Sequence, residues 1–215
     1  MNHETYERKG YTVEIHTDED PPNPRKEWDN AGVMCCEHRR YDLGDGGMDL
    51  LFDALEADSR WDETELNLPD DEEMPEPEDY QALLDLAQEW AEKKDFVRYT
   101  ILPLYLYDHS GITMNTTGFS CPWDSGQVGI IFMTPQARCN ERFTEEEAEK
   151  YLRGEVEAYD QYLTGDVYGF IVKDKDDEEL DSCWGFFGLE YVKEEADRVV
   201  DYYVKENGEQ LELDL

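Results

Sequence analysis

The sequence predicts an α+β fold, a mainly antiparallel sheet built from hairpins with helices packed on one face. Three observations lead there. Short runs rich in β-branched and aromatic residues follow one another with only turn residues between them, which is the pattern of hairpins. Two longer segments, beyond residues 144 and 189, repeat apolar residues every three or four positions, as a helix with one buried face does. Finally, 14 Tyr, 8 Phe and 5 Trp supply aromatic core material that acidic disordered chains lack. A length of 215 residues suits one domain, 1–215, carrying an acidic helical and loop insertion at about 53–95.

The elements follow in order. YTVEIHTD (11–18) alternates like a half-buried strand, with Tyr11, Val13 and Ile15 on one face. DPPNPRKEWDN (20–30) reads as a proline-rich loop, because three prolines in four residues exclude helix and inner strand. VMCCEH (33–38) is the expected partner of the first strand, and DLGDGG (42–47) is a turn. MDLLFDALEAD (48–58) is a short helix facing inward with Leu51, Leu55 and Phe52. LPDDEEMPEPED (68–79) is an acidic linker. A helix from Asp79 to Lys94 follows, with Tyr80, Leu83, Leu84, Ala87 and Trp90 as its stripe.

The stretches 98–108, 111–117 and 126–134 are strands of the sheet centre, and Asp108-His109-Ser110-Gly111 sits where a tight turn is needed. Thr144 and Glu147 form a capping box opening a helix over 144–163, which Gly165 ends. Its inward residues are Leu152, Val156, Tyr159 and Leu163. VYGFIVKD (167–174) and ELDSCWGFFG (179–188) make a hairpin. A last helix over 189–206 buries Val192, Ala196, Val199, Val200 and Tyr203. In DSCWGFFG, Trp184, Phe186 and Phe187 are read as strand residues rather than as an aromatic platform.

Charge sets the functional frame. The net charge of −36 is uneven: −14 over 53–95, zero over 96–140 and −16 over 141–215. A compact body is destabilised by such self-repulsion, and solubility needs a magnitude of only about 2–8. Screening salt or a basic partner would account for it. Direct nucleic-acid binding is excluded as a reading, since phosphates are repelled without a basic patch. No apolar run reaches the roughly 20 residues of a membrane span, and the first twenty residues lack the apolar core of a signal peptide. The expected location is the host cytoplasm, with no membrane partner. Five cysteines, none in a CxxC pair, read as reduced and mostly buried thiols.

Candidate chemistry concentrates in LYDHSGITMNTTGFSCPWDSGQVG (106–129). A hydrolase reading takes His109 as base, Asp108 or Asp124 as orienting acid, and Cys121 or Ser125 as nucleophile. The competing reading makes these turn residues, with Asp124 bonding backbone amides ahead of a strand. Weaker metal-ligand patterns occur at Glu14, His16, Asp18 and Asp20, at Cys35, Cys36 and His38, and at Asp174, Asp176, Asp177 and Asp181. With 55 acids, carboxylate clusters arise by chance. No metal or cofactor is expected.

The stretches YTVEIHTDEDPPNPRKEWDN, CEHRRYDLGD, LPLYLYDHSGITM, CPWDSGQVG, YLTGDVYGF and DSCWGFFG together resemble a family of acidic proteins of unknown function found in bacteriophages, plasmids and bacteria. The resemblance touches most of the chain outside 53–95. It implies a mobile-element setting and no catalytic residues. Such elements encode very acidic proteins that imitate DNA and block restriction or other defence enzymes. The expectation is therefore a non-enzymatic DNA mimic that inhibits a basic, nucleic-acid-binding host protein. Its expected contacts are Asp70, Asp71, Glu72, Glu73, Glu145, Glu146, Glu147, Glu178 and Glu179. The alternatives are the hydrolase or metal-dependent enzyme at Asp108, His109, Cys121 and Asp124, or an acidic structural or regulatory protein with no dedicated partner.

Overall fold

The computed structural model describes residues 2–57 and 99–213. The expected linker at 68–79 and the helix over 79–94 lie outside the described residues. The fold is α+β, with antiparallel strands throughout. The strands form two four-stranded sheets rather than one, and the chain divides into two compact units, Met1–Pro24 with Gln161–Leu215, and Arg25–Asp160.

The first unit holds β1 (Asn2–Arg8), β2 (Tyr11–Thr17), β7 (Val167–Lys173) and β8 (Glu179–Phe187), in the order β1-β2-β7-β8. The partner of β2 is β1 on one side and β7 on the other, not the VMCC strand. Strand β1 carries Glu4, Glu7 and Arg8 and, besides His3, only one large aromatic, Tyr6, so it offers no apolar stripe and periodicity passes it over. Helix α5 (Leu189–Leu213) covers one face of this sheet. Val192, Ala196 and Val200 pack there against Val13, Ile15, Phe170 and Val172, all buried. Val199 and Tyr203, from the expected stripe, are only partly covered.

The second unit begins with α1 (Pro24–Glu27), a single turn inside the expected loop, and continues with β3 (Val33–Cys36) and α2 (Asp49–Ala57). Its sheet orders as β3-β6-β4-β5, with β4 at Thr100–Asp108, β5 at Ile112–Asn115 and β6 at Ser125–Met133. In β4 alternate residues are buried, whereas β6 is buried at every position from Val128 to Met133, as suits a central strand. Gly129 is required there: a Cβ would lie 1.9 Å from the Cys35 carbonyl oxygen on the neighbouring β3. Helix α3 (Pro135–Glu141) was not anticipated; Thr134 caps it by accepting the Ala137 N–H at 3.1 Å.

Helix α4 (Glu145–Thr164) buries Ala148, Leu152, Val156 and Tyr159. The capping box forms as expected. Glu147 accepts the Thr144 N–H at 2.9 Å and its hydroxyl at 2.8 Å, and its own N–H reaches Thr144 Oγ1 at 3.3 Å. Gly165, at φ +73°, stops the helix in the left-handed region. Among the described residues no helix is long and apolar enough to cross a membrane.

Candidate functional site

Pairing of β4 with β6 brings the candidate residues together. Tyr107 pairs with Ser125, and one step further the Asp108 N–H donates to the Asp124 carbonyl at 2.8 Å. The turn into β5 is tight. The His109 N–H donates to the Gly111 carbonyl at 3.0 Å, and Ser110 adopts φ +63°. His109 thus stands beside the Cys121–Ser125 loop, with its Nδ1 3.3 Å from Asp124 Oδ2. The same carboxylate oxygen accepts the Cys121 thiol at 3.7 Å, and Ser125 Oγ donates to the Cys121 carbonyl at 2.5 Å.

The order of these groups decides what they do. In a nucleophilic triad the imidazole stands between nucleophile and acid, because it must take the nucleophile's proton. Here the carboxylate stands between thiol and imidazole. Among the described residues no hydrogen bond joins His109 to Cys121 or Ser125. The turn reading has Asp124 bonding backbone amides; among the described residues its side chain meets the Cys121 thiol and the His109 ring. It ties the loop to the β4–β5 turn instead.

Asp108 points elsewhere. It accepts from the guanidinium of Arg40 and, at 3.4 Å, from the Tyr41 hydroxyl. Arg40 lies 5.3 Å from the Tyr41 ring centroid, and His38 stacks on the same Tyr41 ring with centroids 5.0 Å apart. Burial, then Arg40 and Arg39, push the His38 pKa down, so the ring is neutral near pH 7. His38 is therefore part of an aromatic stack with Tyr41, apart from the buried Cys35 and Cys36 thiols. Burial raises the Cys35 thiol to about 12 and Cys36 further, which leaves both unreactive. Against the expectation of mostly buried thiols, Cys139 and Cys183 are exposed.

Glu14 and His16 do lie side by side, with Nε2 3.1 Å from Oε2. The other oxygen of Glu14 accepts from Lys173 Nζ at 2.7 Å, so the carboxylate already has an ammonium as its counter-ion. Asp18 accepts the Asp20 N–H at 3.1 Å, and Asp174 accepts the N–H groups of Asp176 and Glu178 at 2.8 and 2.9 Å. All three are turn-forming bonds. Among the described residues no group of three His, Cys, Asp or Glu side chains is placed to hold a metal ion.

No family model, curated protein or solved structure matches this chain.

Of the expected contact carboxylates, Glu145, Glu146 and Glu147 are exposed on the first turn of α4, in the second unit. Glu147 is engaged by Thr144. Glu178 and Glu179 are exposed on the β7–β8 hairpin of the first unit, where Glu179 accepts the Ser182 hydroxyl at 2.8 Å. Asp70, Asp71, Glu72 and Glu73 lie outside the described residues.

Sequence reasoning missed a buried ionic centre in the second unit. Arg25, its side chain 1% exposed, donates from Nε and Nη2 to Asp45 at 3.0 and 2.5 Å, from Nη1 to Glu155 at 2.6 Å and from Nη2 to the Gly32 carbonyl at 2.8 Å. Glu155 also accepts the N–H groups of Ala31 and Gly32, and Asp45 accepts that of Met34. Burial alone would lower the Arg25 pKa, but Asp45 and then Glu155 outweigh it and raise it. One signal was legible: Glu155 falls between Leu152 and Tyr159 on the buried stripe of α4, where a carboxylate needs a partner.

Proposed function

We propose that this chain is a non-enzymatic acidic inhibitor that presents carboxylates in place of DNA phosphates to a basic, nucleic-acid-binding host protein, a defence component of the kind mobile elements meet. The observation that carries the reading is a surplus. If each of the 19 Lys and Arg paired with a different carboxylate, 36 carboxylates would still have no cation of their own. Some cations are also committed within the fold: Arg25 is buried between Asp45 and Glu155, and Lys173 and Lys193 hold Glu14 and Glu4.

Magnitudes limit the form of the mimicry. Helix α4 carries seven acids and two bases over 20 residues, or about 30 Å. Duplex DNA of that length carries about 18 phosphates. No helix among the described residues matches it, so the reading requires acid from several parts of the chain, including the segment 53–95 with its net −14. The likeness is to a patch of phosphates rather than to a rod.

The test is capture from a bacterial host lysate at low salt on the immobilised full chain, elution by a salt gradient, and challenge with duplex DNA. The expected result is a basic DNA-binding protein that duplex DNA displaces in competition. Capture of nothing at low salt, or of proteins that DNA cannot displace, would overturn the reading.

A further inference from the structure

Trp123 is 92% exposed. An indole is among the largest apolar groups a chain can bury, and it is ordinarily well covered even when not fully inside. The other exposed tryptophans of the described residues keep about half their surface covered: Trp28 is 43% and Trp184 48% exposed, the latter resting over Gly169 of the adjacent strand. Trp123 has no such cover, yet it does not ride on a loose loop. Pro122 fixes the backbone before it. Cys121 and Asp124 are tied by the thiol–carboxylate contact, Ser125 Oγ closes back on the Cys121 carbonyl, and Asp108 holds the Asp124 carbonyl. The indole is held out into water by a braced turn, so little ordering entropy remains to be lost on contact.

We infer that Trp123 is the anchor on which an arginine side chain of the basic partner stacks, with the neighbouring Asp124 carboxylate taking its guanidinium edge. The inference rests on the reading above and specifies its point of grip. Charge complementarity selects the occupant: residues 96–140 carry no net charge, but the chain as a whole, at −36, draws cationic surfaces, and Asp124 supplies a carboxylate next to Trp123 in the chain. Of the two cationic side chains, arginine fits better. Its guanidinium is planar and weakly hydrated, stacks on aromatic faces, and meets carboxylates edge-on, whereas an ammonium is compact and strongly hydrated. Asp124 is partly exposed, with a side chain 39% accessible; Cys121 and His109 both meet its Oδ2, and the guanidinium edge takes the exposed remainder of the carboxylate. Tryptophan and arginine are also the residues in which interface binding energy concentrates.

The test titrates the full ¹⁵N-labelled chain with an octa-arginine peptide and, separately, with octa-lysine. The indole N–H resonance of Trp123 is identified by its loss in W123F. The expected result is that octa-arginine moves the Trp123 resonance and binds W123A about two- to fivefold more weakly, the range of an exposed cation–π contact. Octa-lysine should bind wild type and W123A alike. If octa-arginine binds but leaves Trp123 unmoved and W123A unaffected, the anchor is wrong while the basic-partner reading stands. If neither peptide binds at low salt, both fall. A Trp123 shift that follows protein concentration without peptide would mean a second copy covers the indole, and would also overturn the inference.

Discussion

Replacing Arg25 with methionine tests whether the second unit is organised around its buried ionic centre. R25M keeps much of the aliphatic stem but leaves the Glu155 carboxylate, 7% exposed, and the Asp45 carboxylate, 22% exposed, facing each other without a cation. Breaking one partner out of a buried ion pair costs about 3–5 kcal/mol. Stranding the Gly32 carbonyl falls within that range. Taking about 4 kcal/mol and a urea dependence near 2 kcal/mol per molar, the unfolding midpoint should fall by about 2 M. Amide exchange should speed up at Ala31, Gly32 and Met34, whose N–H groups rely on these carboxylates.

The sharper result is a change of sign. E155Q in the wild-type background loses a charged hydrogen bond to Arg25, at about 2 kcal/mol. In the R25M background the same E155Q removes a stranded charge, while its amide oxygen still serves Ala31 and Gly32, so it should stabilise. Urea titrations of the four proteins at one pH decide it. Equal destabilisation by E155Q in both backgrounds would show that Arg25 and Glu155 are not coupled and would refute the reasoning.

Two further outcomes follow. Glu14 is held below the ordinary carboxylate range, first by Lys173 and then by His16. Its folded pKa is the lower one, so its stabilisation is complete above about pH 4.3 and is lost as pH falls through the folded value. The gap between wild type and E14Q, about 1 kcal/mol at pH 7, should therefore close on acidification, and a gap that persists at pH 2 would contradict this. Among glycines, G154A on the open face of α4, with nothing within 4 Å of a new Cβ, should stabilise by about 0.5–1 kcal/mol in thermal unfolding. G129A should prevent β3 from pairing with β6 and yield misfolded protein, whereas a folded G129A of wild-type stability would show the Cys35 approach to be wrong.

What the sequence revealed and what it concealed divide along physical lines. Helix α4 was legible because each of its signals is local: the Thr144–Glu147 cap spans one turn, the buried stripe repeats every three or four residues, and Gly165 stops the chain by its own backbone conformation. The β7–β8 hairpin was legible because its two runs adjoin. Strand pairing between distant segments was not: periodicity places Tyr11–Thr17 in a sheet but does not say that Val167–Lys173 lies beside it. At the candidate site the residue types were visible, but their order in space was not. Only the pairing of Tyr107 with Ser125 sets Asp124, rather than His109, at the centre. Trp123 stood in plain view in the sequence, and exposure is a property that no pattern of neighbours discloses.

The placement of the cations links the fold to the proposed role. In the first unit Arg8 meets Asp197 and Asp201, Lys9 meets Asp201, Lys193 meets Glu4 and Lys173 meets Glu14; each pair joins residues from different elements or from the turn between two strands. In the second, Arg25 joins α1 to α4 and to the turn after β3. A chain with few bases uses many of them where helix meets sheet, at points where an unpaired carboxylate would oppose packing. Among the described residues, acids left without a cation, such as Glu145 and Glu146 on α4 and Glu178 on the hairpin, lie exposed, where water and salt tolerate them. Repulsion among those acids is a standing cost to the folded state. Binding a basic surface would relieve that cost, so affinity for such a partner draws on the same repulsion that weakens the isolated chain.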